Sequence, residues 1–270
     1  MITTEEWTFT GTHTEIAAKA WREPGIEPKY VALLVHGYGE HIGRYDHVAA
    51  ALVAHGASVY GLDHIGHGKS GGDRVTVADF EDVVADLHAL DVSARHDYPG
   101  LPVVLIGHSM GGMIAARYAQ LHGGSLAAVV LSGPVIGEFA LLDHLLAAHE
   151  NLADPLDVEV LSRDASVCNA YAADPLVWHG AFQRPTIEAM AAMVATINDG
   201  CSLGPLPLLW VHGQDDALVP IEGSRGGIER LRGARFEAHE YRGARHEIFN
   251  EINSEEVLAD VTGFLDSVLT

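Results

Sequence analysis

Apolar positions along the chain keep two rhythms that take turns. Short apolar runs, several rich in β-branched residues, predict strands at 30–35, 57–63, 103–106, 126–131 and 207–212, with 30–35 and 103–106 reading as buried, and 236–241 reads as the last strand. Between them the spacing becomes helical. Phe80, Val83, Val84, Leu87 and Leu90 share one helix face, as do Val257, Leu258, Val261, Phe264, Leu265, Val268 and Leu269. Residues 45–55 and 113–120 also read as helices, and 6–10 with 14–21 alternate as two antiparallel edge strands. Strands alternating with helices predict an α/β fold whose mostly parallel sheet is covered on both faces.

The rhythm stops from about residue 136 to 204. No strand pattern occurs there, only helix-like runs at 139–148 and 187–197. The expected organisation is a core of residues 1–135 and 205–270, with 136–204 inserted as a helical cap, or lid, over the C-terminal strand ends. Ligands bind at those ends in open α/β sheets. The run 139–148 is apolar almost all round, so it either packs on the sheet or touches lipid.

Composition narrows the function. With 270 residues, 48% hydrophobic and 20% charged, the chain supports a sizeable core. Cys168 and Cys201 allow at most one bridge, so this is no disulfide scaffold. The first residues lack a basic region and an apolar signal core, and no apolar run reaches membrane-spanning length. A cytoplasmic protein is expected, at most peripheral at a membrane. The net charge of −21 argues against nucleic acid and favours a neutral substrate over an anionic one.

Candidate chemistry starts where the strand at 103–106 meets the helix at 113–120. Gly107-His108-Ser109-Met110-Gly111 is a Gly-x-Ser-x-Gly turn between strand and helix, the pattern of a nucleophile elbow. A serine hydroxyl needs a base to take its proton and an acid to hold that base, in the chain order Ser, acid, His. Asp216, just past the strand at 207–212, and His246, past the last strand, satisfy that order; Asp215 is the fallback acid. Two backbone N–H groups must hold the oxyanion. Met110, after the nucleophile, and Tyr38, in the loop His36-Gly37-Tyr38, are the expected donors.

Two imitations are set aside. His246-Glu247-Ile248-Phe249-Asn250 begins like a zinc-binding helix but has Asn250 where a second His is needed. Gly66-His67-Gly68-Lys69-Ser70 ends like a phosphate loop, but Asp63 stands where its first Gly belongs.

Longer stretches then resemble the monoacylglycerol lipase family of serine hydrolases, which has the α/β-hydrolase fold. His36-Gly37-Tyr38-Gly39-Glu40-His41-Ile42-Gly43-Arg44-Tyr45, Asp63-His64-Ile65-Gly66-His67-Gly68-Lys69-Ser70, the elbow, Leu161-Ser162-Arg163-Asp164, Tyr171-Ala172-Ala173-Asp174-Pro175-Leu176-Val177 and His246-Glu247-Ile248-Phe249-Asn250-Glu251 carry the likeness. It implies hydrolysis of monoacylglycerol to glycerol and fatty acid, with no cofactor and no metal. The lid reads as shorter and more acidic than in animal members, and Tyr38 replaces a small residue.

Glu40, Arg44 and His108 are candidates for the substrate's polar end, although Glu40 and Arg44 equally suit an internal salt bridge bracing the oxyanion loop. The stripe Met190, Met193, Val194 and Ile197 is the candidate acyl-chain wall, with core packing as its default. Transient contact with a membrane or micelle through the lid is a further expectation. A lysophospholipase or broad carboxylesterase would use the same machinery, as would a cofactor-free haloperoxidase. A catalytically silent lipid-binding or scaffold protein is the non-enzyme alternative.

Overall fold

One eight-stranded sheet, in the order β1-β2-β4-β3-β5-β6-β7-β8, organises the chain. The computed structural model describes residues 2–147 and 157–269. β1 (Thr3–Thr10) and β2 (Glu15–Arg22) pair antiparallel as an edge hairpin. β3 (Tyr30–Val35), α1 (Asp46–His55) and β4 (Ala57–Leu62) follow, and β2 joins the sheet by pairing antiparallel with β4. Next come α2 (Phe80–Asp97), β5 (Val103–His108), α3 (Met110–His122) and β6 (Ala128–Ser132). α4 (Ala140–Ala147), α5 (Ala165–Ala173) and α6 (Arg184–Asp199) separate β6 from β7 (Leu208–Gly213). The chain closes with α7 (Ile221–Leu231), β8 (Phe236–Tyr241) and α8 (Ser254–Val268).

β4 through β8 run parallel, and every residue of β3 to β7 is buried, as a sheet covered on both faces requires. Side chains divide by the period of two. Val31, Leu33 and Val35 pack toward α2, α3 and α6, whereas Tyr30, Ala32 and Leu34 pack toward α1 and α8. β3 pairs with β4 on one side and β5 on the other. The strand order therefore reverses there, and the loops leaving β3 and β5 diverge to open a crevice at their C-terminal ends.

The expected elements stand, with two instructive differences. The run at 126–131 starts late as a strand, because Leu126 closes a 3₁₀ turn by donating its N–H to the Gly123 carbonyl. α5 carries no apolar stripe for a periodicity argument to find; it starts because the Asp164 carboxylate accepts from the Ser166 N–H. The end of the helix expected at 139–148 and part of the 136–204 segment lie outside the described residues. Among the described residues no helix is long and apolar enough to cross a membrane.

Candidate active site

β5 runs into α3 through a single residue. Ser109 has φ 56° and ψ −119°, a strained backbone for a residue with a side chain, and Met110 already starts the helix. The turn closes only because its flanks lack side chains. A Cβ on Gly107 would lie 2.3 Å from the Gly111 carbonyl oxygen, and one on Gly111 would lie 2.1 Å from that of Val35. Ser109 is thus held above the sheet at the positive end of α3.

His246 Nε2 lies 2.8 Å from Ser109 Oγ, and its Nδ1 lies 2.7 Å from Asp216 Oδ2. All three residues are buried. The other Asp216 oxygen accepts from the Leu218 and Val219 N–H groups at 3.0 and 2.8 Å, which fixes the carboxylate. His212, which sequence reasoning passed over, adds a further partner at 3.2 Å from Asp216 Oδ2. Burial opposes ionisation of Asp216, but His246 and His212 outweigh it and hold the carboxyl below its usual range. Burial likewise opposes protonation of His246, yet Asp216, with Glu247 and Glu40 behind it, raises its pKa. Asp215 is exposed and takes no part in this arrangement.

The loop after β3 lies against Ser109, since a Cβ on Gly37 would stand 3.3 Å from Ser109 Cβ. Glu40 Oε1 accepts from the Gly37 N–H and from the Tyr45 hydroxyl, each at 2.7 Å. Its other oxygen pairs with Arg44, which reaches on to both oxygens of Glu247 at 2.7 and 2.6 Å. Arg44 therefore bridges the loop to the residue next to His246. Glu247 was not singled out from the sequence; only its place beside the histidine pointed to it. Met110 N–H belongs to the first turn of α3, where no intrahelical acceptor exists.

A cavity opens over Ser109. Phe139, Leu142, Leu145, Ile187 and Met190 make its apolar wall, and Glu40, His108 and Glu247 border its polar end. His108 packs its ring 4.8 Å from that of His246, and burial followed by the His246 charge takes its pKa down to about 3. Met193, Val194 and Ile197 are a correction to the expected acyl wall. They are buried but do not line this cavity. The stripe runs the length of α6, and only its first turns face the cavity, while the rest packs into the core that holds α3.

His36, His64 and His67 cluster behind the loop, with ring centroids of His64 and His67 at 4.2 and 5.5 Å from that of His36. Burial depresses all three first, followed by repulsion from the neighbouring rings at His36 and His64 and from Arg74 at His67: His36 lies far below its ordinary value, His64 at about 3 and His67 at about 4. In the unfolded chain each titrates near the usual value of about 6.5. As pH falls from there, the unfolded chain binds protons that the folded one refuses. Stability is thus full above about pH 6.5 and is lost toward about pH 4, with His246 alone among these groups running the other way. At pH 5 each depressed histidine costs on the order of 2 kcal/mol. The thermal midpoint is expected to drop by about 10 °C or more between pH 7.5 and pH 5, read by circular dichroism. An unchanged midpoint would show that these rings accept protons in place.

Comparison with known proteins agrees with this geometry. Residues 26–253 match the family model described as "Serine aminopeptidase, S33". A monoacylglycerol lipase of Mycolicibacterium smegmatis is 38% identical over 99% of both chains. Human monoglyceride lipase is 34% identical over 86% of this chain and 80% of its own. Among solved structures, the monoacylglycerol lipase of Paleococcus ferrophilus superposes with a TM-score of 0.77 at 28% identity, covering 95% of this chain and 99% of that one. With a strained serine elbow, a base and an acid in hydrogen-bond series, and full-length likeness to these enzymes, the chain belongs to the monoacylglycerol lipase family of α/β-fold serine hydrolases.

Proposed function

We propose that the protein hydrolyses monoacylglycerols to glycerol and a free fatty acid through an acyl-enzyme. The observation that carries the reading is the Ser109–His246–Asp216 series, at 2.8 and 2.7 Å, opening into a cavity that is apolar on one side and carboxylate-lined on the other. An acyl chain suits the wall of Phe139, Leu142 and Met190, and a glycerol headgroup suits the polar end.

In this mechanism Ser109 Oγ attacks the ester carbonyl while His246 Nε2 takes its proton. Asp216 keeps Nδ1 protonated and offsets the charge on the ring. The Tyr38 and Met110 N–H groups hold the oxyanion, helped by the end of α3. Collapse of the tetrahedral adduct expels the glycerol oxygen, which receives the proton from His246. A water then repeats the sequence on the acyl-enzyme and releases the fatty acid.

Glu40 and Arg44 act chiefly by bracing the oxyanion loop, because their charged atoms are already paired with each other, with Gly37 and with Glu247. The segment 136–204 serves as the cap. Its α4 buries Leu142 and Leu145 and leaves Leu141 and Leu146 half-buried, a modest apolar edge for transient contact with a lipid surface.

A panel of esters tests the reading. Mono-, di- and triacylglycerols of matched chain, a lysophosphatidylcholine, a short nitrophenyl ester and an aminoacyl anilide are compared by kcat/KM. The expected result is highest turnover of monoacylglycerol, with the anilide and triacylglycerol at least about a hundredfold lower. A preference for triacylglycerol, lysophospholipid or anilide overturns it.

A further inference from the structure

The loop from Gly37 to His41 is gripped from above by the segment that joins β6 to β7. Trp178 donates its N–H to the Gly39 carbonyl at 2.7 Å. His41 Nε2 meets Asp174 Oδ2 at 2.9 Å. The Tyr38 ring stacks on Phe182, with centroids 4.9 Å apart and planes at 21°. Just past the loop, the Arg44 guanidinium lies 4.7 Å over the ring of Tyr171. These partners all come from the end of α5 and the stretch leading into α6. From below, Glu40 holds the Gly37 N–H.

We propose that Asp174 is a positioning residue for the reaction, tying the oxyanion loop to the inserted segment through His41 so that the Tyr38 N–H points at the developing oxyanion. The proposal rests on the assignment of Tyr38 N–H as an oxyanion donor. It goes beyond that assignment because Asp174 belongs to another part of the fold and does not line the cavity.

The hydrogen-bond directions are set locally. Gly43 donates its N–H to His41 Nδ1 at 3.2 Å, so the proton sits on Nε2 and is donated to Asp174. Asp174 Oδ1 is engaged separately, accepting from the Leu176 N–H at 2.8 Å. Both carboxylate oxygens are therefore used, one for the local turn and one for the tie. Asp174→Asn keeps the shape and the turn but presents an NH₂ to an N–H. Donor faces donor, and the tie alone is broken.

The test compares Asp174→Asn, His41→Asn and the double variant, since Asn at position 41 can still accept from the Gly43 N–H but no longer reaches Asp174. Three readouts are taken: kcat and KM for monoacylglycerol, the inhibition constant of an acyl trifluoromethyl ketone, and the affinity for the neutral long-chain alcohol of matched length. Ser109 Oγ adds to the ketone carbonyl carbon, its proton passes to His246 Nε2, and the carbonyl oxygen becomes an oxyanion that needs the hole; the alcohol is neutral, fills the acyl wall and brings no oxyanion. Each single variant is expected to lower kcat about tenfold and weaken the ketone by the same factor, with KM and alcohol affinity within about twofold. The double variant is expected to match the singles, because both remove one interaction.

Unchanged kcat and ketone affinity overturn the proposal, as does a rise in KM alone or a loss that multiplies to about a hundredfold in the double variant. Should Asp174→Asn lose its thermal transition, His41→Asn carries the same comparison alone. A wild-type enzyme that binds the ketone no better than the alcohol would remove the oxyanion assignment itself, whereas tight wild-type binding with unaffected variants removes only the role of Asp174.

Discussion

Ser109→Ala is expected to lower kcat for monoacylglycerol by about four to six orders of magnitude and to abolish labelling by a fluorophosphonate. The size follows from what is left. Without Oγ, His246 and Asp216 have no nucleophile to activate, and only the oxyanion donors and the binding cavity remain to act on a water. Stability is expected to stay within about 1 kcal/mol. The substitution removes one hydrogen bond, to His246, but keeps the Cβ at φ 56°, so the strain of the elbow is neither relieved nor increased. Affinity for the fatty acid product is expected to persist, because the apolar wall is untouched. Retention of even a tenth of wild-type turnover, or of labelling, would place the nucleophile elsewhere and end the reading of the site given above.

The candidate series Ser109–His246–Asp216 was legible in the sequence because Ser109 and Asp216 follow strands whose apolar runs mark the sheet's upper edge, and His246 follows the last strand. Asp216 and His246 are far apart in the chain, yet each comes just past one of two neighbouring strands, β7 and β8. Asp216 is preferred to Asp215 in the sequence because Asp216-Ala217-Leu218-Val219-Pro220 leads into a helix at the sheet edge, and in the structure the Leu218 and Val219 N–H groups of that turn point at its carboxylate. Long-range polar pairing was less legible. Nothing local in Glu247 announces a partner in Arg44, and the tie between His41 and Asp174 spans two segments with no shared periodicity. The Met190 stripe misled in part because periodicity reports that a face is buried, not what buries it. Met190 meets the cavity; Met193, Val194 and Ile197 meet the core.

The same elbow supplies the substitution expected to damage the fold most. Gly111→Ala would set a Cβ 2.1 Å from the Val35 carbonyl oxygen, 2.5 Å from that of His36 and 2.6 Å from the Val35 carbonyl carbon. These are backbone atoms at the end of β3, fixed by pairing with β4 and β5, so no flexible side chain can swing away. Relief would require α3 to lift from the sheet, and α3 carries Met113, Ile114, Ala115 and Ala116, all fully buried. A loss above about 4 kcal/mol is expected, which for a chain of this size means a drop in Tm of about 10 °C or more, or no soluble protein. Gly124→Ala is the control. It lies between α3 and β6, a Cβ there meets nothing within 4 Å, and its backbone is free of positive φ. Its Tm is expected to stay within about 2 °C of wild type. If Gly111→Ala melts like the control, β3 and α3 do not approach as closely as the elbow requires. Ser109 would then owe its position to something other than the absence of a side chain two residues away.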